Sequence, residues 1–456
     1  MIDFIGASMT LSMIHRQREE DLLKWKDSPT RKPLLVRGAR QVGKSYLIEA
    51  FGRKYFKNCI TVNFEKSKEY VACFENLDPK EIVKAVSLFS SQKIIEGETL
   101  LFLDEIQDCP NAIRSLRYFK ENMPELHVIG AGSLLELKLN EAEFRFPVGR
   151  VSFMFLYPLS FKEFLIAFDP EAASYLSGVS LEKPFSPAIH EHFLRALKQY
   201  FLYGGMPEVL AAHQNGADLN EILEIQASVI NTYRNDLGHY DSSANLVLLR
   251  HCFEEVPLRV GERIVYSKLA LESRSRDLKI ALSVLEQANL LHSVVASSAS
   301  GLPLAQTKNE KKFKYFFLDI GLVKRMNQLD ASVLLSEDLM LLNQGALAEQ
   351  FVAQELLAYS PYFEKPELYF WARDGYGQAE VDFLSVIQGK IFPLEVKSGP
   401  RGTLRSLHQY QKERACSFGI KLSLANLSYE HELLSLPLYL LSELERLIGS
   451  VSRLMG

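Results

Sequence analysis

From Lys32 to Pro158 short, near-continuous apolar runs alternate with longer amphipathic stretches. The runs are PLLVRG (33–38), CITVNF (59–64), TLLFLDE (99–105), LHVIGAG (126–132) and VSFMFLYP (151–158). A strand wetted on one face alternates apolar and polar positions, whereas one covered on both faces stays apolar throughout. The pattern therefore predicts an α/β fold built on a parallel sheet. From about Ser160 to Tyr240 the spacing becomes helical, as in FKEFLIAF and HFLRALKQYFLYGG. Between Asp241 and Asp319 short helices followed by a hairpin are expected, and the segment 265–294 has the look of a helix–turn–helix. Near Glu337 a second α/β pattern begins, with one amphipathic helix (GALAEQFVAQELLAY, 345–359) and strands ELYFWAR, AEVDFLSVI and IFPLEVKSG.

The chain has 456 residues, enough for roughly two to four domains. Its apolar fraction of 47% and charged fraction of 24% are those of a soluble globular protein. No run approaches the ~18 apolar residues of a membrane-crossing helix, so no membrane partner is expected. The stretch MIDFIGASMTLSMIHRQREE lacks a basic start and reads as an amphipathic lead-in helix, not a signal peptide. Five cysteines (Cys59, Cys73, Cys109, Cys252 and Cys416) form no CxxC pair, which argues against disulfides and zinc and for a cytoplasmic location. With a net charge of −4, any nucleic-acid contact must come from local basic patches.

The residues Gly38, Ala39, Arg40, Gln41, Val42, Gly43, Lys44 and Ser45 fit G-x-x-x-x-G-K-[ST], and Tyr46 follows in the helix they open. The motif stands between a predicted strand and a predicted helix, the context a phosphate-binding loop requires. Its glycines let the backbone wrap phosphate oxygens, while amide N–H groups and the helix N-terminus supply positive charge. Lys44 would reach the β- and γ-phosphates of ATP, and Ser45 would give its hydroxyl to Mg²⁺. The run TLLFLDEIQ, about 60 residues on, delivers Asp104 and Glu105 to the strand end where ligands of open α/β sheets sit. Asp104 would hold Mg²⁺ through water, and Glu105 would polarise the attacking water.

With RKPLLVRGARQVGKS, VNFE (62–65), LLFLDEIQ, VGRVSFMFLYPLSFKEF (148–164), LYGGMPE (202–208), FFLDIGL (316–322), GALAEQFVAQEL (345–356), AEVDF and PLEVKSG, the chain resembles prokaryotic AAA+-type P-loop ATPases of the archaeal kind fused to a C-terminal domain of unknown function. The resemblance implies a γ-phosphate sensor at the tip of the fourth core strand, where VIGAGS offers Ser133 in place of the commoner Asn. It also implies an arginine finger at Arg150 of the VGR phrase, completing a neighbour's site in a homo-oligomer. A surface ion pair is the plainer alternative for Arg150. The GGMP phrase (204–207) resembles a lid element near the nucleotide.

Asp382 in AEVDF and Glu395 with Lys397 in PLEVKSG form D-x12-E-x-K on two predicted strands. Positions i and i+2 of a strand share a face, and Asp382 on a neighbouring strand would meet them. Glu349 lies on the preceding helix. This resembles the PD-(D/E)xK nuclease core, in which carboxylates such as Asp382, Glu395 and Glu349 would hold a metal and Lys397 would assist the attacking water. The plainer alternative is a nuclease-like fold used to bind or to pack, with Glu395 and Lys397 as an ion pair.

Basic residues crowd two places. Arg263, Lys268, Arg274, Arg276 and Lys279 lie in the helix–turn–helix stretch, with Lys308, Lys311, Lys312 and Lys314 in a following wing; Glu262, Glu272 and Asp277 offset part of the charge. Arg401, Arg405, Lys412 and Arg414 flank the C-terminal carboxylates. The first set could meet DNA phosphates or belong to a module used structurally or for protein docking, and the second could contact phosphates or be a solvated face. His190 and His192 diverge along a helix and make no zinc pair, and Trp25 and Trp371 read as packing residues.

The expected architecture is a lead-in helix (1–30), an AAA+-like core (31–160), a helical lid (161–240), a winged-helix-like region (241–335) and a small restriction-endonuclease-like α/β domain (336–456). The expected activity is Mg²⁺-dependent ATP hydrolysis coupled to action on DNA, including its cleavage, through the nuclease-like C-terminal domain. The competing expectation is a nucleotide-gated regulatory or docking ATPase with a silent nuclease-like domain and a protein partner.

Overall fold

A computed structural model describes residues 14–139, 147, 149–240, 246–269, 273–328, 344–373, 379–397 and 404–455. Residues 1–13 of the expected lead-in helix, Glu272 and Arg401 lie outside this range. Within it the first helix runs over Arg18–Asp27 (α1).

The first sheet is parallel throughout. Its strands are β1 (Leu34–Arg37), β2 (Asn58–Asn63), β3 (Thr99–Asp104), β4 (His127–Gly132) and β5 (Ser152–Phe155), in the order β2-β3-β4-β1-β5. All six residues of β3 and of β4 are buried, as helices on both faces demand. Those helices are α2 (Lys44–Tyr55), α3 (Pro79–Ser90), α4 (Pro110–Asn122) and the short α5 (Leu135–Leu139).

Five helices then follow over the stretch expected to be a lid: α6 (Phe161–Phe168), α7 (Pro170–Leu176), α8 (Pro187–Tyr203), α9 (Pro207–Gln214) and α10 (Leu219–Tyr240). A capping box starts α6: Glu163 N–H donates to Ser160 Oγ, and Ser160 N–H donates to Glu163 Oε2. Helices α11 (Leu246–Glu255), α12 (Tyr266–Leu269) and α13 (Ser275–Gln287) precede the antiparallel pair β6 (Leu291–Ser297) and β7 (Lys308–Phe317), then α14 (Ile320–Met326).

The C-terminal elements are α15 (Gln344–Tyr359), β8 (Leu368–Ala372), β9 (Glu380–Ile387), β10 (Lys390–Val396), α16 (Arg405–Arg414), β11 (Gly419–Ser423), β12 (Ser428–Glu430), β13 (Leu433–Pro437) and α17 (Leu444–Met455). Strand β6 pairs in parallel with β8, so the hairpin and the C-terminal strands make one eight-stranded mixed sheet. Its order is β12-β13-β11-β10-β9-β8-β6-β7. This sheet crosses the 335/336 boundary drawn from the sequence. Among the described residues, no helix is long and apolar enough to cross a membrane.

Candidate nucleotide site and a second carboxylate cluster

The loop after β1 turns tightly enough to require glycine. A Cβ on Gly38 would lie 2.2 Å from the Leu156 carbonyl oxygen, and Gly43, at φ +88°, precedes the first turn of α2. Gln41 is exposed at the loop's tip, while Ala39 and Val42 are buried and fix its base. Lys44 is buried and donates to the carbonyls of Gly38 (3.0 Å) and Ala39 (2.7 Å). Burial pulls its pKa down to about 8, against the pull of Glu105 and Asp104.

Ser45 Oγ donates to Asp104 Oδ1 at 2.9 Å, and Asn63 Nδ2 donates to Asp104 Oδ2 at 2.8 Å. Burial raises the Asp104 carboxyl, with the Ser45 hydrogen bond opposing it. Strand β3 therefore carries Asp104 to the loop, as its apolar run suggested. Glu105 follows at φ +48° and accepts from Gln107 Nε2 at 2.6 Å and Ser133 Oγ at 3.4 Å. Ser133, just past β4, also accepts from Arg40 Nε at 3.3 Å. Tyr46 is half-buried on α2, and its hydroxyl has no hydrogen-bond partner among the described residues. Ser45 and Asp104 thus present two hard oxygens that could hold Mg²⁺.

Sequence reasoning missed the groups that hold this loop from outside. Arg16 is buried, donating to the Val42 carbonyl (2.8 Å), the Tyr157 carbonyl (2.7 Å) and Glu163 (3.0 Å). Tyr233 Oη donates to the Arg40 carbonyl at 2.6 Å, and Arg40 Nη1 donates to Asp236 at 2.7 Å. Both partners lie on α10, nearly 200 positions along the chain, so no local pattern announced them. Pro207 of the GGMP phrase packs 3.3 Å from where a Gly43 Cβ would be. Arg150 lies at the opposite end of the strands from the loop, just before β5, in an exposed ion pair with Glu121 (3.0 Å). It cannot reach its own chain's loop.

The second constellation is assembled by β9 and β10. Their antiparallel register runs Leu394↔Phe383, which sets Asp382 beside Glu395. The Val396 amide donates to Asp382 at 2.8 Å, and Lys397 Nζ donates to Glu395 Oε1 at 2.6 Å. The four expected residues do come together, but Glu349 has a different partner from the expected metal. Lys314 of β7, expected in an exposed wing, is buried and reaches Glu380 (2.6 Å), Glu349 (3.1 Å) and Asp382 (3.8 Å). Among the described residues no three His, Cys, Asp or Glu side chains converge in a metal-holding group. Burial, then the Asp382 charge, raises both Glu349 and Glu395, while the three carboxylates around Lys314 keep its ammonium charged against burial.

Of the basic residues, Lys268, Arg274, Arg276, Lys279, Lys308 and Lys311 are exposed, and Lys312 is partly so. Lys308 pairs with Glu310 (2.8 Å), and Arg263 pairs with Glu380 (2.5 Å). Near the C-terminal cluster Arg405 and Lys412 are exposed, while Arg414 donates to the Ser298 carbonyl at 2.8 Å. His190 meets Tyr439 and His192 meets Asp169, so the two histidines part as expected.

Loop, acidic strand end and parallel sheet together define a P-loop ATPase core, and residues 30–165 match the family model of an AAA domain. The chain thus carries an AAA+-type ATPase core. Residues 194–333 match a domain of unknown function (DUF8612), and residues 344–439 match another (DUF4143). A relative from Haemophilus influenzae, described as an uncharacterized protein, is 25% identical over 329 residues, covering 69% of this chain and 74% of its own length. Among solved structures, the Aeropyrum pernix ORC2 protein in its ADPNP–ADP complexes is 12% identical at a TM-score of 0.38, covering 70% of this chain and 94% of that one. The Aeropyrum pernix ORC1 protein in complex with DNA is 14% identical at a TM-score of 0.28, covering 71% of this chain and 95% of that one.

Proposed function

We propose that the chain binds ATP with Mg²⁺ at the loop 38–45, hydrolyses it, and uses the cycle to change its grip on DNA. The observation that carries the nucleotide half is the Lys44–Ser45–Asp104 arrangement. Lys44 spends its donors on two loop carbonyls that phosphate oxygens would replace. Mg²⁺, held by Ser45 and through water by Asp104, would supply charge neutralisation on the β- and γ-phosphates. Glu105, steadied by Gln107 and Ser133, would orient the attacking water. The DNA half rests on the exposed Arg274 and Arg276 at the start of α13. Neither has an ion-pair partner among the described residues, and α13 precedes a hairpin, as in a winged helix.

Phosphate release and duplex binding at several salt concentrations test both halves. Lys44→Ala should abolish turnover, and unchanged turnover would end the ATPase reading. Arg274→Ala with Arg276→Ala should weaken duplex binding and reduce its salt slope by about 1 for each DNA phosphate no longer neutralised. Salt-independent affinity, the same in native and variant, would favour the docking alternative with a protein partner.

A further inference from the structure

We infer that Lys314 is a built-in cation that takes a divalent metal's place among the C-terminal carboxylates, so that this unit, as folded, binds no catalytic metal. The ammonium sits among Glu380, Glu349 and Asp382 at 2.6, 3.1 and 3.8 Å. The nearer two are hydrogen-bonding distances for an ammonium on a carboxylate. Arg263 binds the far side of Glu380, and both cations lie over the Phe370 ring, Lys314 at 5.3 Å and Arg263 at 5.6 Å from its centroid. A magnesium ion keeps several waters, which an aromatic ring does not accommodate. The backbone closes in as well, since a Cβ on Gly261 would lie 3.2 Å from Glu349 Oε2.

The origin of these groups matters. Glu349, Asp382 and Glu395 lie within the C-terminal segment, whereas Gly261, Arg263 and Lys314 come from the region before it. The β6–β8 pairing joins the two segments in one sheet, and an isolated bridge between Arg263 and Lys314 fixes both cations on one side. One acceptor is left over. Glu395 is buried, and its Oε2 has no hydrogen-bond partner among the described residues. The cluster therefore retains an oxygen suited to a cation while a lysine holds the centre.

The full-length protein titrated with Mn²⁺, without nucleotide, tests this. Native protein and Asp382→Asn should bind Mn²⁺ alike. Lys314→Met, which keeps the stem's bulk and removes the charge, should gain a Mn²⁺ site with affinity raised by about 10- to 100-fold, lost again in Lys314→Met/Asp382→Asn. A Mn²⁺ bound by the native chain and removed by Asp382→Asn would overturn the inference, as would a folded Lys314→Met that gains no site. If Lys314→Met does not fold, the comparison of native with Asp382→Asn still decides. A second reading comes from linear and branched DNA in Mn²⁺: the native chain should leave both uncut. Cutting removed by both Glu395→Ala and Lys397→Ala would overturn the inference. No P-loop residue enters this cluster, so ATP turnover and Mn²⁺ binding here hold or fail independently.

Discussion

Glu105 illustrates how a single residue can be held ready at some cost. Its left-handed backbone costs a non-glycine residue about 1–3 kcal/mol, and the conformation turns the carboxylate from the end of β3 toward Gln107 and Ser133. A carboxylate aimed in this way can polarise water without contributing to phosphate affinity. Glu105→Gln keeps the shape and an acceptor for Gln107 and Ser133 but removes the carboxylate charge. It should bind ATP as the native chain does, while phosphate release falls at least ~10²-fold. Nucleotide-induced thermal stabilisation reports the first quantity and phosphate release the second. Loss of binding would mean that Glu105 holds the nucleotide or its metal. Asp104 and Glu105 were legible because an apolar strand ended on them. Gln107 and Ser133 were not legible as partners of Glu105, since their contact depends on how β3 and β4 lie side by side.

At the scale of elements, α10 is fastened to the P-loop by two short bonds, Tyr233 to the Arg40 carbonyl and Arg40 to Asp236. Phosphates arriving in the loop would act on Arg40 from the other side, so the helix is placed to feel the nucleotide. In the native chain ATP should slow amide exchange along Leu219–Tyr240. In Tyr233→Phe/Asp236→Ala, ATP should still bind, but exchange there should be roughly 10- to 100-fold faster, as the loss of two hydrogen bonds worth about 0.5–1.5 kcal/mol each implies. Equal protection in both proteins would show that α10 is indifferent to the site. The five parallel strands and the helices over 161–240 could be read from periodicity because each declares its own burial. The partnership of β6 with β8 could not, because strand pairing across some 70 residues leaves no local trace. Lys314 shows both limits. It looked like one more lysine in KNEKKFKYFF, yet it shares a strand face with buried Phe316, a signal that period-two reading offers and that charge counting hides.

Across the whole molecule, α15 joins the parts. Gln350 exchanges two hydrogen bonds with the Phe317 backbone at 2.9 and 2.7 Å. Gln354 accepts from the Ile320 amide and donates to Tyr200 and Asp319, and Asp319 accepts from the Gly205 amide at 2.6 Å. Glu355 accepts from the Phe161 amide and the Tyr359 hydroxyl. The phrases LYGGMPE, FFLDIGL and GALAEQFVAQEL, which carry little chemistry as sequence, thus meet in one buried polar junction. Burial raises the Glu355 pKa to about 8 from an ordinary 4.5. The folded chain therefore keeps a proton that the unfolded chain releases between about pH 4.5 and 8. Stability must fall as pH rises through that window, by up to about 1.4 kcal/mol per pH unit for this group, and level off above it. Glu355→Gln keeps an acceptor for Phe161 and has no proton to lose. Urea unfolding at pH 5 and pH 8 should show a smaller loss of stability in the variant than in the native chain, the difference belonging to Glu355 because every other group is shared. Equal losses would mean that Glu355 is already ionised in the fold and that its hydrogen bonds outweigh its burial.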